Sequence, residues 1–536
     1  MSPAPLVIHG HFYQPPRENP WSGRIDREPS AYPFHDWNER ILSECYRANA
    51  FARIFGEGGR VERVVNNYAH VNFNFGPTLF SWIESRDPTV YARILEADRD
   101  SARRHGGHGN AIAQGYNHAI LPLLDERDRR TQVRWGLADF RHRFGRAAEA
   151  LWLPETACDD ATLGTLIDEG MRYAILSPRQ AARVRRLGAP EAAWRDVADG
   201  TIDPQRAYRY AHRDGSGRAL ALFFYDGRLA HDVAFGGALA TSQAMVARFT
   251  RARDGAPAAA DSVPVSAPAP ALDLRPVADA PSPDGARLVH CATDGESYGH
   301  HARFGDLTLA YALTVEVAGG GFEVTNYGEY LDRHPPEHEA EILPGPDGLG
   351  TSWSCEHGVG RWFRDCGCHT GGQPGWTQAW RTPLRAAMDV VRDAAHTQLE
   401  AAGGALLRDP WAARDDAVEL ALEGRKAHER FFARHAPRPL ADEERRRALL
   451  LLELARAVLY QYTSCGWFFS DISGLEAVQV MKYAGRALDL LKTLGATPPR
   501  GPFLETLSQA RSNVPGMGTG ADIYRAFVEP LARGGR

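Results

Sequence analysis

Five short segments of the sequence place His, Asp or Glu residues directly after an apolar run. Two carboxyl groups that flank a bond can act as general acid and as nucleophile, while His, Asn and Trp side chains bind sugar rings by hydrogen bonding and stacking. The segments therefore predict a pocket that cleaves glycosidic bonds. In chain order, their candidate residues are His9, His11 and Gln14; His118; Trp152 and Glu155; Asp226; and Asp294, Glu296 and His300.

Imidazole and carboxylate groups also bind metals, so the same residues support a second hypothesis. The His9-Gly-His11 pair with a later Asp resembles the ligand sets of metal-dependent amidohydrolases and polysaccharide deacetylases. That hypothesis predicts a bound metal and leaves Glu155 without a role. A third hypothesis is a barrel that binds carbohydrate without turnover, and the presence of candidate acids such as Glu155 and Asp294 argues against it.

The apolar runs before these residues predict strands that alternate with helices, which is typical of an α/β fold. In a barrel the carboxyl ends of the strands meet on one face, so the five segments would line one pocket. We expect an Asn-rich loop after Val65. The runs that predict strands are Leu6–His9, Val64–Val65, Ala150–Leu153, Tyr173–Leu176, Leu220–Tyr225 and Leu288–Ala292.

The pattern changes near residue 345, which predicts a catalytic domain over residues 1–345 and a mainly helical domain over residues 346–536. Residues 254–286 are rich in Pro and Ala and lack aromatic residues, which predicts an extended linker inside the first domain. Ser473 and Glu476 predict a capping box. Helical periodicity covers Trp380–Leu407, Trp411–Arg434, Asp442–Tyr462 and Ser473–Leu494.

Composition excludes several classes of partner. The chain has 62 basic and 67 acidic residues and a formal charge of -5. It has no run of five or more basic residues, which argues against a nucleic-acid partner. Seven scattered cysteines indicate a reducing compartment. No apolar run approaches the roughly 20 residues of a membrane span, and no basic leader is found. We therefore expect a cytoplasmic protein that does not bind membranes, and its oligomeric state stays open.

Four of the segments also match a known family, in the same order along the chain. HGHFYQPP, GYNHAILPLL, WLPETACD and DGESYGHH resemble the sequence regions of glycoside hydrolase family 57, over residues 1–335. The resemblance implies a retaining enzyme on an incomplete (β/α)7 barrel, which acts on α-glucans without a metal or other cofactor. The C-terminal part resembles an uncharacterised domain that extends some members of the family.

The resemblance also implies catalytic roles. Glu155 resembles the family's nucleophile and Asp294 its general acid/base, with Asp226 as a rival acid. Retention predicts carboxyl groups about 5–5.5 Å apart and a raised pKa for Asp294. Phe12 and Tyr13 stand between His11 and Gln14, where family members often read HQP directly.

Other residues are implied to contact the substrate. His9, His11 and His118 match residues that line the family's sugar subsite. Asp226 and Glu296 would orient sugar hydroxyls or the catalytic pair. The remaining candidates for substrate binding are Gln14, Trp21, Trp152, His300, Trp362, Trp467 and Asp471.

A cluster after the predicted boundary leaves two hypotheses open. Three Cys and two His residues stand within 15 positions, a density that suits zinc. Their spacing is not the usual CxxC, however, and the glycines and tryptophans around them equally indicate a rigid loop that covers a sugar cleft. We assign no metal ligand from the sequence. The residues are Cys355, His357, Cys366, Cys368 and His369.

Overall fold

A computed structural model of the chain describes residues 3–255 and 287–534. Apart from Asp254 and Gly255, the predicted linker 254–286 lies outside the described residues. The strands are β1 Ala4–Phe12, β2 Ala52–Phe55, β3 Val61–Val65, β4 Asn72–Phe75, β5 Ala113–Gln114, β6 Leu151–Trp152, β7 Tyr173–Leu176, β8 Ala181–Arg186, β9 Arg195–Asp196, β10 Ala207–Ala211, β11 Ala219–Phe224, β12 Val289–Asp294, β13 Phe322–Val324 and β14 His338–Ile342.

Seven of these strands form a parallel ring in the order β1, β4, β5, β6, β7, β11, β12. Ladders join β1 to β4, β5 to β6, β7 to β11 and β12 to β1. Single parallel bridges at Phe73–Ala111 and Ala150–Tyr173 join β4 to β5 and β6 to β7. Between β11 and β12, the Asp226 amide donates to the His290 carbonyl at 3.1 Å. The predicted incomplete (β/α)7 barrel is confirmed, and its ring is thinnest between β11 and β12.

β1 lies between β12 and β4 in this ring and is buried along nearly its whole length. Every residue of the strand after Ala4 is buried, which is typical of a parallel strand covered on both faces. The covering helices are α1 Trp37–Ile41, α2 Arg47–Ala50, α3 Pro77–Arg86, α4 Pro88–Arg104, α5 Glu126–Phe144, α6 Asp160–Asp168, α7 Gly227–Ala234, α8 Ser242–Asp254, α9 Gly305–Tyr311 and α10 Tyr327–Arg333. Outside the barrel, β10, β14, β8 and β9 extend the sheet beyond β11.

The prediction of an Asn-rich loop after Val65 is wrong in part, because the stretch contains a strand. Val61–Val65 is β3, which pairs with β2 outside the ring, but the Asn-rich stretch contains β4. Asn72 and Asn74 alternate with phenylalanines along that strand, and all four residues are buried. Their amides are tolerated there because each bonds a buried partner, the Asn110 carbonyl for Asn72 and His9 for Asn74.

The C-terminal part is helical, as predicted, with two corrections. The helix expected over Trp411–Arg434 is divided into three, and Gly424 separates the last two with a φ of 57°. The capping box at Ser473 is also wrong, because α17 starts after Gly474 and the Ser473 hydroxyl donates to Asp471. The helices are α11 Arg381–Gly403, α12 Pro410–Asp416, α13 Val418–Glu423, α14 Arg425–His435, α15 Asp442–Tyr460, α16 Cys465–Phe468, α17 Leu475–Thr493, α18 Arg500–Leu507, α19 Gly520–Phe527 and α20 Glu529–Gly534.

The helical part packs directly on the barrel. The largest cluster of buried apolar side chains includes residues of both, such as Leu121 and Leu153 from the barrel and Leu384 and Leu459 from the helices. An antiparallel bridge joins Ala119 to Thr463, at the carboxyl side of the barrel. None of the described helices is long and apolar enough to cross a membrane.

Candidate functional site

The carboxyl ends of the ring strands bring most of the predicted residues to one face. His9 and His11 are two apart on β1 and therefore share a side of the strand. Asp294 ends β12 and pairs in register with His11, while Glu155 follows β6 by three residues. This is the face on which barrel enzymes place their catalytic groups, because the loops there can vary without disturbing the packed core.

Glu155 stands on a strained turn. The segment Pro154–Thr156 is a single helical turn in which Glu155 and Thr156 have φ values of 58° and 49°, a region that non-glycine residues seldom occupy. A loop from beyond the barrel holds the carboxylate: Oε2 accepts from the Trp353 indole N–H at 3.0 Å and from the Ser354 hydroxyl at 2.7 Å. Burial raises the pKa of Glu155, whereas these two donors and the positive charge of Arg361 oppose the rise.

The groups around Asp294 all shift its pKa in one direction. Its side chain is exposed at the end of β12, and the surrounding protein still removes part of its hydration. Burial, followed by the nearby negative charges of Glu296 and Glu155, raises the pKa of Asp294 well above its usual value. The predicted rise is therefore present, and it favours the protonated form of the carboxyl group. The predicted separation of 5–5.5 Å between the two carboxyl groups stays a prediction.

Glu296 is a third acid near the pair. Its Oε1 accepts from the Tyr46 hydroxyl at 2.6 Å and from the Tyr13 backbone amide at 3.4 Å. Burial raises the pKa of Glu296 to about 7, against hydrogen bonds that include one to Gln14. The Gln14 amide oxygen also accepts from Arg17 at 3.0 Å.

The three histidines form a continuous chain of hydrogen bonds. His9 Nε2 bonds Asn74 Oδ1 at 3.0 Å, and Asn74 Nδ2 donates to His11 Nδ1 at 2.9 Å. His11 Nε2 bonds His118 Nε2 at 3.0 Å, and His118 Nδ1 bonds the Ser464 hydroxyl at 2.7 Å. Burial lowers the pKa of His9 and His118 to about 3 and that of His11 well below its usual value, so all three are neutral.

Neutral rings allow the proton positions to be assigned along this chain. The Asn74 amide gives its two protons to His11 Nδ1 and to the Gln114 oxygen, the latter at 2.7 Å. His11 must then carry its proton on Nε2, which donates to His118, and His118 must carry its own on Nδ1. The tautomers follow from the amide orientation of Asn74, so one asparagine orders the whole chain.

Aromatic rings pack against the histidine chain and beside Glu155. Trp152 stacks on His9 and His11 with centroid separations of 4.7 and 5.0 Å, and Tyr13 stacks on His118 at 3.7 Å. The Trp353 ring lies edge-on to Trp152 at 5.2 Å. Such flat, partly polar surfaces suit the apolar faces of sugar rings. Tyr13 is one of the two residues inserted before Gln14, and it takes a place in this group.

Several predicted residues serve other contacts. The Trp21 indole N–H donates to Asp489 of α17 at 2.9 Å. Asp226 Oδ1 caps α7 by accepting from the amides of Arg228 and Leu229, and His300 bonds Glu44. Each of these three residues thus has a partner within the fold, and its contact with substrate stays a prediction.

The two C-terminal tryptophans and Asp471 are also held by structural contacts. Trp362 and Trp467 are fully buried, and the Trp467 indole N–H donates to the Arg381 carbonyl at 3.2 Å. Both oxygens of Asp471 accept bonds, Oδ1 from Ser473 and Ser512 and Oδ2 from the Asn513 amide. The structure thus places these residues in the helical core and in a turn instead of along the substrate face.

Other residues of the site were missed by the sequence analysis. Asn74 and Gln114 lie on β4 and β5, and alternation in Asn72-Phe-Asn74-Phe was a detectable sign of a strand with polar groups on one side. Trp353 and Ser354 reach Glu155 across about 200 residues of sequence, and Ser464 reaches His118 across 346. No local pattern reports contacts at such a separation.

The histidines do not form a metal site with the acids. His9 Nε2 and His11 Nδ1 both bond the same Asn74 amide, and His11 Nε2 bonds His118. Among the described residues, neither His9 nor His11 belongs to a group of three possible metal ligands. The bonding pattern thus argues against the metal-dependent alternative.

Comparisons with known proteins agree with this arrangement. The profile described as glycosyl hydrolase family 57 matches residues 39–342, and a domain of unknown function, DUF3536, matches residues 376–534. No curated protein sequence matches the chain significantly.

Among solved structures, an exo-type maltose-forming amylase from Pyrococcus sp. ST04 is 13% identical, with a TM-score of 0.62 over 99% of this chain and 93% of its own. The 4-α-glucanotransferase of Thermococcus litoralis is 13% identical, with a TM-score of 0.50 over 92% of this chain and 60% of its own. A branching enzyme from Pyrococcus horikoshii is 13% identical, with a TM-score of 0.50 over 98% and 96%. At this identity the likenesses support the fold, while the family profile covers more than half of the sequence. The chain therefore belongs to glycosyl hydrolase family 57.

Proposed function

We propose that this enzyme cleaves or transfers α-glucosidic bonds of α-glucans with retention of configuration, using Glu155 and Asp294. The observation that carries the proposal is the contrast between the two acids. Two hydrogen-bond donors hold Glu155 and stabilise its ionised form, whereas burial and neighbouring negative charge favour the protonated form of Asp294. A nucleophile must be ionised and a general acid protonated at the same pH, and the surroundings of the two acids favour these two forms.

In the first half of the reaction, a Glu155 oxygen attacks the anomeric carbon as the glycosidic bond breaks. Asp294 donates its proton to the leaving oxygen, and a covalent glycosyl-enzyme forms. In the second half, Asp294, now ionised, takes a proton from water or from a sugar hydroxyl, which attacks the anomeric carbon and releases Glu155. The proton returns to Asp294, so both acids end as they began.

The surrounding residues have roles in this proposal. The half-buried Trp353 ring would stack on the sugar and Gln14 would bond its hydroxyls, while the buried Trp152 ring and the histidine chain would support these groups from below. Amylase, glucanotransferase and branching activities in the names of the structural relatives support an α-glucan substrate. Whether water or a sugar accepts the glycosyl group depends on how far the cleft excludes water.

The proposal also covers organisation and location. The barrel of residues 1–345 would carry the acids, and residues 346–536 would complete the cleft, supported by the contacts of Trp353, Ser354 and Ser464 with barrel residues. Cysteines that remain unpaired suit the cytoplasm, which we propose as the location.

Product analysis tests the function. We expect the wild type to change the chain lengths of maltooligosaccharides, amylose or glycogen, and the first product to keep the α configuration by NMR. Glu155→Ala and Asp294→Ala should each lose about 10³-fold or more in rate. Asp226→Asn is the matched control, since Asn also caps a helix and should leave the rate within a few fold.

The possible outcomes separate the alternatives. New reducing ends indicate hydrolysis, and redistribution of chain length without them indicates transfer. A product with the β configuration would exclude retention. Release of acetate from acetylated oligosaccharides, with no effect of Glu155→Ala, would instead support the deacetylase hypothesis.

A further inference from the structure

We infer that Cys355, His357, Cys366 and Cys368 bind one zinc ion, which fixes the loop that holds the Glu155 side chain. One ligand atom from each of the four residues lies within 4.8 Å of all the others. The four come from a single segment, Cys355-x-His357-x8-Cys366-x-Cys368, that follows the barrel. His369, the fifth residue of the sequence cluster, bonds the Gly371 carbonyl and lies outside this group.

The separations within the group match a tetrahedron around zinc. Zinc lies about 2.3 Å from sulfur and about 2.0 Å from nitrogen, so tetrahedral geometry needs sulfur–sulfur edges of about 3.8 Å and sulfur–nitrogen edges of about 3.5 Å. Cys355 Sγ is 3.9 Å from Cys366 Sγ and 3.8 Å from Cys368 Sγ, and Cys368 Sγ is 3.5 Å from His357 Nδ1. A disulfide would need about 2.05 Å, far shorter than either sulfur pair.

A buried arginine supplies an independent reason for negative charge here. The Arg381 side chain is fully buried, and the negative groups that act on its charge among the described residues are Cys366, Cys368 and Cys355, with no carboxylate. Its Nη1 donates to the Cys368 carbonyl at 2.8 Å, while its Nε has no hydrogen-bond partner in the described chain. Three thiolates and one Zn²⁺ carry a net charge of about −1, which would balance this cation.

Four protein ligands leave no open position, so the metal would be structural. Cys355 stands directly after Trp353 and Ser354, the two residues whose side chains donate to Glu155. Arg381 begins α11, so the site also ties the loop to the helical domain. The effect on Glu155 rests on the proposed function, whereas the metal site itself does not.

The other candidate group is weaker. Asp125, Asp128 and His396 are also close together, but Asp128 is paired with the buried Arg414 and Asp125 caps α5. Those contacts already engage one oxygen of each carboxylate, and Asp125 is exposed.

Metal analysis of the full-length protein tests the inference. Protein purified in reducing buffer should contain about one zinc per chain by mass spectrometry, and Co²⁺ in its place should give the visible bands of a tetrahedral thiolate site. Cys366→Ser and His357→Asn should lower zinc below about a tenth per chain. Cys291→Ala, which removes a buried thiol outside the group, should keep the zinc.

Three results would overturn the inference: no zinc together with no cobalt spectrum after reconstitution, zinc retained in both ligand variants, or a Cys355–Cys366 disulfide in freshly isolated protein. If Cys366→Ser does not fold, His357→Asn decides, because His357 is exposed and its loss removes little packing. These readouts need no substrate, so they hold whether or not the glucan activity is found.

Discussion

At the scale of single residues, backbone strain concentrates where the side chains face the cleft. Glu155, Thr156 and His118 all have positive φ values, between 49° and 58°. Such conformations cost about 1–3 kcal/mol each and persist only where the surroundings hold them. Here the Trp353 amide donates to the Glu155 carbonyl, and the Ser464 amide donates to the His118 carbonyl. Residues after the barrel therefore hold the strained positions within it.

Removing the indole donor to Glu155 should change the acid side of the pH profile. Trp353→Phe keeps the ring but removes a hydrogen bond to the ionised carboxylate, worth about 1.5–3 kcal/mol. The pKa of Glu155 should rise, so the acid limb of kcat/KM should move to higher pH and kcat should fall about tenfold or more. Trp194→Phe, at a half-buried site where the indole donates to Glu191 instead, is the control. An unchanged acid limb would show that Trp353 does not set the ionisation of Glu155.

Removing the charge of Glu296 should shift the alkaline limb of the pH profile of kcat/KM. This charge is the second cause of the raised pKa of Asp294, after burial. In Glu296→Gln, Asp294 should ionise more readily, and the alkaline limb of kcat/KM should move to lower pH by about one unit. The control is Asp226→Asn, another half-buried carboxyl group that does not act on Asp294. A limb that stays in place or moves to higher pH contradicts the assignment of Asp294 as the acid.

At the scale of elements, the histidine chain joins three parts of the fold. It runs from β1 through β4 and the loop after β5 to Ser464, beyond the end of α15. Each ring is neutral, which is the form that burial without a carboxylate partner favours. The chain therefore makes the fit between barrel and helices sensitive to protonation.

This arrangement predicts a loss of stability at low pH. The unfolded chain binds a proton on His118 below about pH 6.5, whereas the folded protein does so only below about pH 3, so stability falls as the pH drops between these values. At pH 5 the loss from this one residue is about 2 kcal/mol. His118→Asn removes the titrating imidazole, and Asn tolerates the positive φ at this position. The variant's free energy of unfolding should therefore fall short of the wild-type value by about 2 kcal/mol less at pH 5 than at pH 7.5. Urea unfolding at both pH values measures the deficit, and a constant deficit would contradict the neutral assignment.

At the scale of the whole molecule, the barrel and the helices share one core. The largest apolar cluster crosses the predicted boundary near residue 345, and Arg414 of α12 is buried against Asp128 of α5. A barrel separated from the helices would expose both the apolar surface and the buried acid.

We therefore expect residues 1–345 not to fold alone. The fragment should aggregate or bind a hydrophobic dye and show no cooperative thermal transition, whereas the full chain should unfold in a defined transition followed by circular dichroism. The Asp128→Asn full-length variant is a useful control, because it weakens one contact and leaves the shared core in place. A soluble fragment with a cooperative transition would show that the barrel is an independent domain.

Local patterns were sufficient for much of the fold and for the acids. Apolar runs such as Tyr173–Leu176 became strands at the predicted positions because their side chains are buried on both faces. The segments around His9, Glu155 and Asp294 were recognisable because each one lies near the carboxyl end of its strand. The prediction of one helix over Trp411–Arg434 was wrong, because Gly424 ends one helix and starts the next within a periodic pattern that looks continuous in the sequence.

The sequence by itself determined the family and most of the order of strands and helices, and it predicted the two acids, since these depend on residues close together in the chain. Only the tertiary structure decided which donors hold Glu155, which amide orders the histidines, and that Trp467 and Asp471 serve the helical part. It also brought Cys355, His357, Cys366 and Cys368 to the corners of a tetrahedron, although their spacing is unusual. Those contacts form where the helical part packs against the barrel. The spacing of residues along the chain does not encode the distances between residues on the two sides of that interface.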